Sequence, residues 1–226
     1  MPAARLVCCA VLAAGLTLVP VACPAEHWAR HTDRRQNPLI LEAMQSGDLA
    51  EALQAARALG RREDPYVSDI LAGLLGGGQE LLVQFLLDAV FSPSEPDEAL
   101  RRKLAANSAG VEALAAGLTG YGLSLRREVV RLLRHAGTGV YDGQVLAQAA
   151  WLEKRIRAQG GKPGAEAGEL ALEVLRYAGA SGNPVFLDAA LRLQECSRER
   201  RIARLAAGVA AELAYSKKAF GNPAEW

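Results

Sequence analysis

Leu133-Arg134-His135-Ala136-Gly137 and Leu175-Arg176-Tyr177-Ala178-Gly179 are one phrase written twice, 42 residues apart. Each copy closes an apolar helical pattern, and each is followed by a short polar turn and a second helical pattern. Ala56-Arg57-Ala58-Leu59-Gly60 is a fainter copy at the end of an earlier helix. Self-similarity at this spacing marks stacked helical hairpins. One hairpin cannot bury its apolar face alone, and a neighbour of the same shape completes its core.

A second recurrent device punctuates the chain. Asn37-Pro38, Asp64-Pro65 and Asn183-Pro184 each place a side-chain acceptor before a proline. The acceptor takes an unpaired N–H at a helix start, and proline fits the first turn because its missing N–H is not needed there. Read with the apolar periods, these marks predict helices over 38–46, from Asp48 to Gly60, and over 64–75, 79–91, 95–106, 109–118, 123–136, 139–158, 165–178, 184–195 and 198–215. Asp48 with Glu51, and Ser94 with Asp97, have the spacing of capping boxes. The segment 79–91 is apolar on most sides, with Glu80, Gln84 and Asp88 as a narrow polar stripe, so several neighbours should bury it. Gly76-Gly77-Gly78 reads as a helix stop, and no phosphate-loop pattern surrounds it or Gly161-Lys162. Residues 160–164 read as the most flexible internal loop. No alternating apolar/polar run predicts a sheet.

Paired helices, a 42-residue period, Asp/Asn-Pro opening the second helix and Gly closing the first resemble HEAT repeats and the closely similar armadillo class. The resemblance covers roughly residues 38–215. It implies an all-α fold, a right-handed α-solenoid of about ten to eleven helices. It implies an extended binding surface and carries no activity with it.

Composition agrees with close helix packing. Half of the 226 residues are hydrophobic and only 5% are aromatic, which favours helices meeting through small side chains. With 26 basic and 25 acidic residues the net charge is +1, so no global charge draws the chain to nucleic acid or anionic lipid.

The first 25 residues differ in kind. A positive start, an apolar run from Leu6 to Val19 and small residues after Pro20 read as a secretory signal. The run is shorter than the roughly 20 residues of a membrane span, which favours a signal over the alternative of an uncleaved N-terminal anchor. Val21-Ala22-Cys23 resembles the tail of a bacterial lipoprotein signal, which would make Cys23 a lipidation site. Cleavage after Ala25 is the rival, and both stay open. Residues 26–37 then form a polar tether, 38–215 the repeat body and 216–226 a tail. Cys8 and Cys9 lie in the signal, so Cys196 is the one thiol of the folded body and forms no internal disulfide. A catalytic thiol would need His135; a buried apolar cysteine is the simpler reading.

Candidate sites follow from the repeat. Arg57, Arg134 and Arg176 each lie three residues before a closing Gly. They form either a basic ladder for an acidic partner or cations at the carbonyl ends of their own helices, an effect of about 0.3–1 kcal/mol each; the latter is the simpler reading. Asp69, Gln144 and Asp188 fall near one position of the second helices, which in HEAT-like arrays line the concave face. They are either a polar binding stripe or a solvated face. His27 and His31 are four apart, as metal ligands on a helix can be, but they lie in the tether without the Glu of a zinc-hydrolase motif. Arg198, Arg200, Arg201 and Arg204, with Lys217 and Lys218, make a basic cluster diluted by Glu195, Glu199 and Glu212. Nucleic acid is not expected as the partner of an exported protein.

The expected function is that of a non-catalytic exported scaffold binding another protein, in the periplasm or at a membrane surface, with a lipid anchor if Cys23 is modified and with no cofactor. The alternative is an enzyme or small-ligand binder whose titratable groups converge from several helices into a pocket.

Overall fold

The structure is a computed structural model and describes residues 48–61, 66–76, 80–92 and 96–220. Among these the fold is all-α, without a strand. The helices are α1 (Leu49–Gly60), α2 (Tyr66–Gly76), α3 (Glu80–Val90), α4 (Glu98–Ala106), α5 (Ser108–Gly117), α6 (Leu123–Ala136), α7 (Asp142–Ala158), α8 (Ala165–Ser181), α9 (Leu187–Cys196) and α10 (Arg200–Phe220); a 3-10 turn, Pro184–Phe186, leads into α9. The expected helix 38–46, the pairs Asn37-Pro38 and Asp64-Pro65, Ser94, Cys23, His27 and His31 lie outside the described residues.

Some helix starts are set by side-chain caps, whereas α6, α7, α8 and α9 begin without one. Asp48 Oδ1 accepts from the N–H groups of Ala50 and Glu51 at 3.0 and 3.2 Å. The helix expected from 95 instead begins at Glu98. Its cap is Asp97, whose Oδ1 accepts from Leu100 N–H at 3.0 Å. Asn183 accepts from Val185 N–H at 3.1 Å, but Asn183-Pro184 opens only one 3-10 turn, and the α-helix starts three residues later.

The helices pack in two rows. In the first row α1 meets α4, α4 meets α6, α6 meets α8 and α8 meets α10; in the second α2 meets α5 and α7 meets α9. The rows are joined through α5–α6, α7–α8 and α9–α10, and α3 packs against α1 and α6. From α4 onward alternate helices of the chain meet in the first row, as α7 and α9 do in the second, whereas α1–α4 and α2–α5 join helices three apart. Leu125, Val129, Leu132 and Leu133 of α6 and Leu170, Val174, Tyr177 and Ala178 of α8 are buried where these helices share the core.

The segments α6–α7 and α8–α9 correspond in the structure at an offset of 45 residues rather than 42. Gly137 caps α6 and Gly182 caps α8, both at positive φ, and each N–H donates to the carbonyl four residues back, Leu133 and Ala178. At the same offset, Glu128 and Glu173 are buried carboxylates with an arginine three residues on. Tyr141 and Phe186 are buried aromatics, and Val140 and Val185 beside them are exposed. The Leu-Arg-x-Ala-Gly phrase is therefore displaced by almost one helical turn between its copies.

The phrase's three glycines accordingly do three things. Gly137 ends its helix. Gly179, expected to do the same, is inside α8, which runs on to Ser181, and it faces Val209 of α10. Gly60 is the last residue of α1, and a Cβ there would sit 2.9 Å from the Leu100 backbone of α4. Its hydrogen is what lets α1 and α4 close.

Two further expectations are corrected. The Gly160–Gly164 loop is anchored: Gly161 is buried, and its carbonyl accepts from Arg198 N–H at 2.7 Å. Helix α3 buries Leu82, Val83, Leu86, Leu87 and Val90, but Leu81 is 80% exposed. It does have several neighbours, α1, α4 and α6, but they leave the Leu81 side uncovered.

Candidate basic groove

The first row gathers arginines. Arg101 and Arg102 come from α4, Arg131, Arg134 and His135 from α6, Arg176 from α8, and Arg200, Arg201 and Arg204 from α10. Two cavities lie along their seams. A cavity of about 290 Å³ between α4 and α6 is lined by Arg101, Arg102 and His135. A larger open groove of about 710 Å³ runs between α8 and α10, with Arg134 reaching it from α6. Its walls include Leu172, Leu175, Leu205 and Val209; Arg176, Arg200, Arg201 and Arg204 supply charge, and Glu212 is the one acidic residue of its lining.

Buried carboxylates hold part of this charge in place. Glu173 is 6% exposed, and Arg134 Nη1 lies 3.7 Å from its Oε2 while Arg176 bonds its Oε1. One carboxylate thus ties α6 to α8. Glu128, 45 residues earlier, pairs within its own helix α6 instead. It is 2% exposed, bonds Arg127 and pairs with Arg131 at 3.7 Å, and Arg127 also reaches Asp88 of α3 at 3.5 Å. Burial pulls the Arg134 guanidinium below its ordinary value, as do Arg131, Arg176 and Arg101, against the opposing pull of Glu173. Arg131 stacks over Phe91 at 4.6 Å, and His135 stacks on the same ring at 5.5 Å. His135 is pushed toward its neutral form by burial and by Arg101, Arg134 and Arg131.

Burial outweighs Arg127 and Arg131 at Glu128 and raises its carboxyl above the ordinary range. A carboxyl raised by folding favours the folded state most when protonated, and that contribution is lost as pH climbs through its folded value. Glu128→Gln removes the loss. The variant's stability relative to wild type should rise between pH 4 and pH 7, as urea unfolding at intervals across that range would show; a flat difference would contradict the assignment.

The arginines read from the sequence are placed as follows. Arg134 and Arg176 converge on Glu173 and on the groove. Arg57 is apart from them at the end of α1, 3.8 Å from Asp97, the cap of α4. Asp69, Gln144 and Asp188 are exposed on α2, α7 and α9, in the second row, and make no hydrogen bond or ion pair among the described residues. Cys196, at the end of α9, donates weakly to Leu193 O at 3.7 Å. Burial raises its thiol, and its nearest charges are Arg157 and Glu153, a different neighbourhood from that of His135.

Two polar centres had no motif to announce them. Asp142, 8% exposed at the start of α7, accepts from Gly139 N–H (3.2 Å), Tyr177 Oη (3.0 Å), Ser181 Oγ (3.3 Å) and Asn183 Nδ2 (2.7 Å). Arg126 donates to the carbonyls of Tyr121 (2.7 Å) and Thr119 and stacks over Trp151 at 4.8 Å. The first locks the α6–α7 turn to the α8–α9 turn, and the second clamps the turn before α6. A matching offset of 45 residues would have pointed to Glu128 and Glu173; nothing local points to Asp142.

The chain matches no protein-family model, no curated protein and no solved structure. No described helix is long and apolar enough to cross a membrane, and no group of three or more His, Cys, Asp or Glu able to hold a metal occurs among the described residues.

Proposed function

We propose that this protein is an exported HEAT-like α-solenoid that binds another protein without catalysis, and that its first helical row is the binding face. The observation that carries the reading is the α8–α10 groove. It joins an open groove, with Leu205 partly exposed in its wall, to arginines drawn from three successive helices of one row. The contacts between alternate helices, and the 45-residue offset of caps and buried carboxylates, support the solenoid. The N-terminal sequence supports export, and intact mass of the mature protein tests it, by a diacyl mass on Cys23 or a start at Glu26.

A photo-crosslinking residue at Leu205, in the full chain in its own host, tests the binding face. A protein partner should be captured from Leu205, lost on Arg176→Glu, and not captured from the exposed second-row position Ala147. Equal capture at both positions, or none at Leu205, would overturn the reading. The small-ligand alternative draws on the groove's volume, which lies within the roughly 300–1,000 Å³ of ligand sites. A small molecule retained by the full chain in native mass spectrometry would favour it.

A further inference from the structure

We propose that the α8–α10 groove receives an amphipathic helix with acidic flanks from the partner, an inference that rests on the scaffold reading above. Charge balance supplies the sign. Arg134 and Arg176 share Glu173, and Arg201 holds Glu169 at 3.0 Å. Arg200 and Arg204, one turn apart on α10, have no counter-ion among the described residues. Two guanidinium groups are therefore left uncompensated beside an apolar wall, where carboxylates from an incoming chain form charge-assisted pairs.

Backbone chemistry supplies the shape. The middle of each wall, Leu172 and Leu175 on α8 and Leu205 and Val209 on α10, lies inside its helix, where N–H and C=O groups are already bonded. An extended segment would find no main-chain partner there, whereas a helix brings its own. Leu205 is the partly exposed apolar side chain of the groove, and the buried Leu172, Leu175 and Val209 floor it, so that one apolar helical stripe of a ligand would settle against Leu205 between the arginines. Gly208 opens onto free space, since a Cβ there would meet nothing within 4 Å. Glu212 in the lining, with Glu169 on Arg201, breaks the run of positive charge that a polyanion would need. Discrete carboxylates are therefore favoured over a phosphate backbone.

The probe is a labelled synthetic peptide with leucines at i, i+3, i+4 and i+7 and glutamates on both flanks, titrated by fluorescence anisotropy against the full chain. It should bind, and the Arg200→Glu/Arg204→Glu variant should weaken it about tenfold or more. Lys154→Glu, a charge reversal on the exposed face of α7, should not. A peptide with lysines for the glutamates, and one of the same composition without the apolar period, should bind at least about tenfold more weakly. Thermal melts of each variant check the fold. The proposal is overturned if the acidic peptide does not bind, if its binding survives the double reversal in a folded protein, or if the aperiodic peptide binds equally. It is likewise overturned if a single-stranded oligonucleotide or phosphatidylglycerol vesicles bind in preference and with the same loss. A partner crosslinked from Leu205 through a segment without acidic residues would sink this inference while leaving the scaffold standing.

Discussion

Phe186→Ala is expected to lower stability by about 3–5 kcal/mol, the range for truncating a fully buried aromatic. Phe186 is 1% exposed and meets Tyr177 edge-on at a ring separation of 5.8 Å. It sits in the 3-10 turn that packs against α10 and leads into α9, so its ring fills the corner where α8, α9 and α10 meet. The expected fall in melting temperature is roughly 10 °C or more for a chain of this size. The neighbouring Val185 is 50% exposed, and Val185→Ala should change stability by no more than about 0.5 kcal/mol. Similar losses for the two variants in calorimetry would show that the turn is placed in the wrong register.

Asp142→Ala should cost about 2–4 kcal/mol. The substitution takes the acceptor from a buried tyrosine hydroxyl and from the Asn183 amide, and each orphaned buried group costs about 1–3 kcal/mol. Because the bonds run from α7 to the end of α8 and its following turn, the loss should appear as coupling. Tyr177→Phe should cost less in the Asp142→Ala background than in wild type, by about 1 kcal/mol in a double-mutant cycle. Additive effects would dismiss the network. A titration adds an independent readout. Burial, and then the bond to Asp142, raises the Tyr177 hydroxyl far above the ordinary value of 10.0. Its contribution to stability is intact below the unfolded value and declines as pH rises above it. Tyrosinate absorbance should therefore show one tyrosine ionising only together with alkaline unfolding.

Most helices were legible because local rules and tertiary packing agree in them. In α6 the apolar period, the stop at Gly137 and the buried set coincide, and its predicted bounds of 123–136 are those observed. The discrepancies have a common origin. The repeated phrase aligns letters, whereas the fold aligns burial and hydrogen bonds. Gly179 looked like a stop because Gly137 is one, yet α8 continues past it because Gly182 supplies the positive φ that the end requires. Ser94 read as the cap with Asp97 as its reciprocal partner, yet Asp97 itself caps and the helix begins at Glu98.

The groove was only half legible. Arg134, Arg176 and the cluster at 200–204 stood out in the sequence as separate features, a ladder and a terminal patch. Their meeting depends on α6, α8 and α10 lying side by side in one row. Glu173, which joins Arg134 to Arg176, was not legible at all. A glutamate in a helical period is ordinarily solvated, and only the packing of α8 on both sides buries it.

The repeated phrase, the caps and the apolar periods by themselves determined that this chain is helical and where most of its helices begin and end. These are local properties: φ preference, side-chain bonds to nearby N–H groups, and a stripe of side chains on one helix. The true 45-residue register, the burial of Glu128, Asp142 and Glu173, and the assembly of distant arginines around one apolar groove were decided only in the tertiary structure. Burial and charge compensation depend on which surfaces meet, and that depends on helices far apart in the chain.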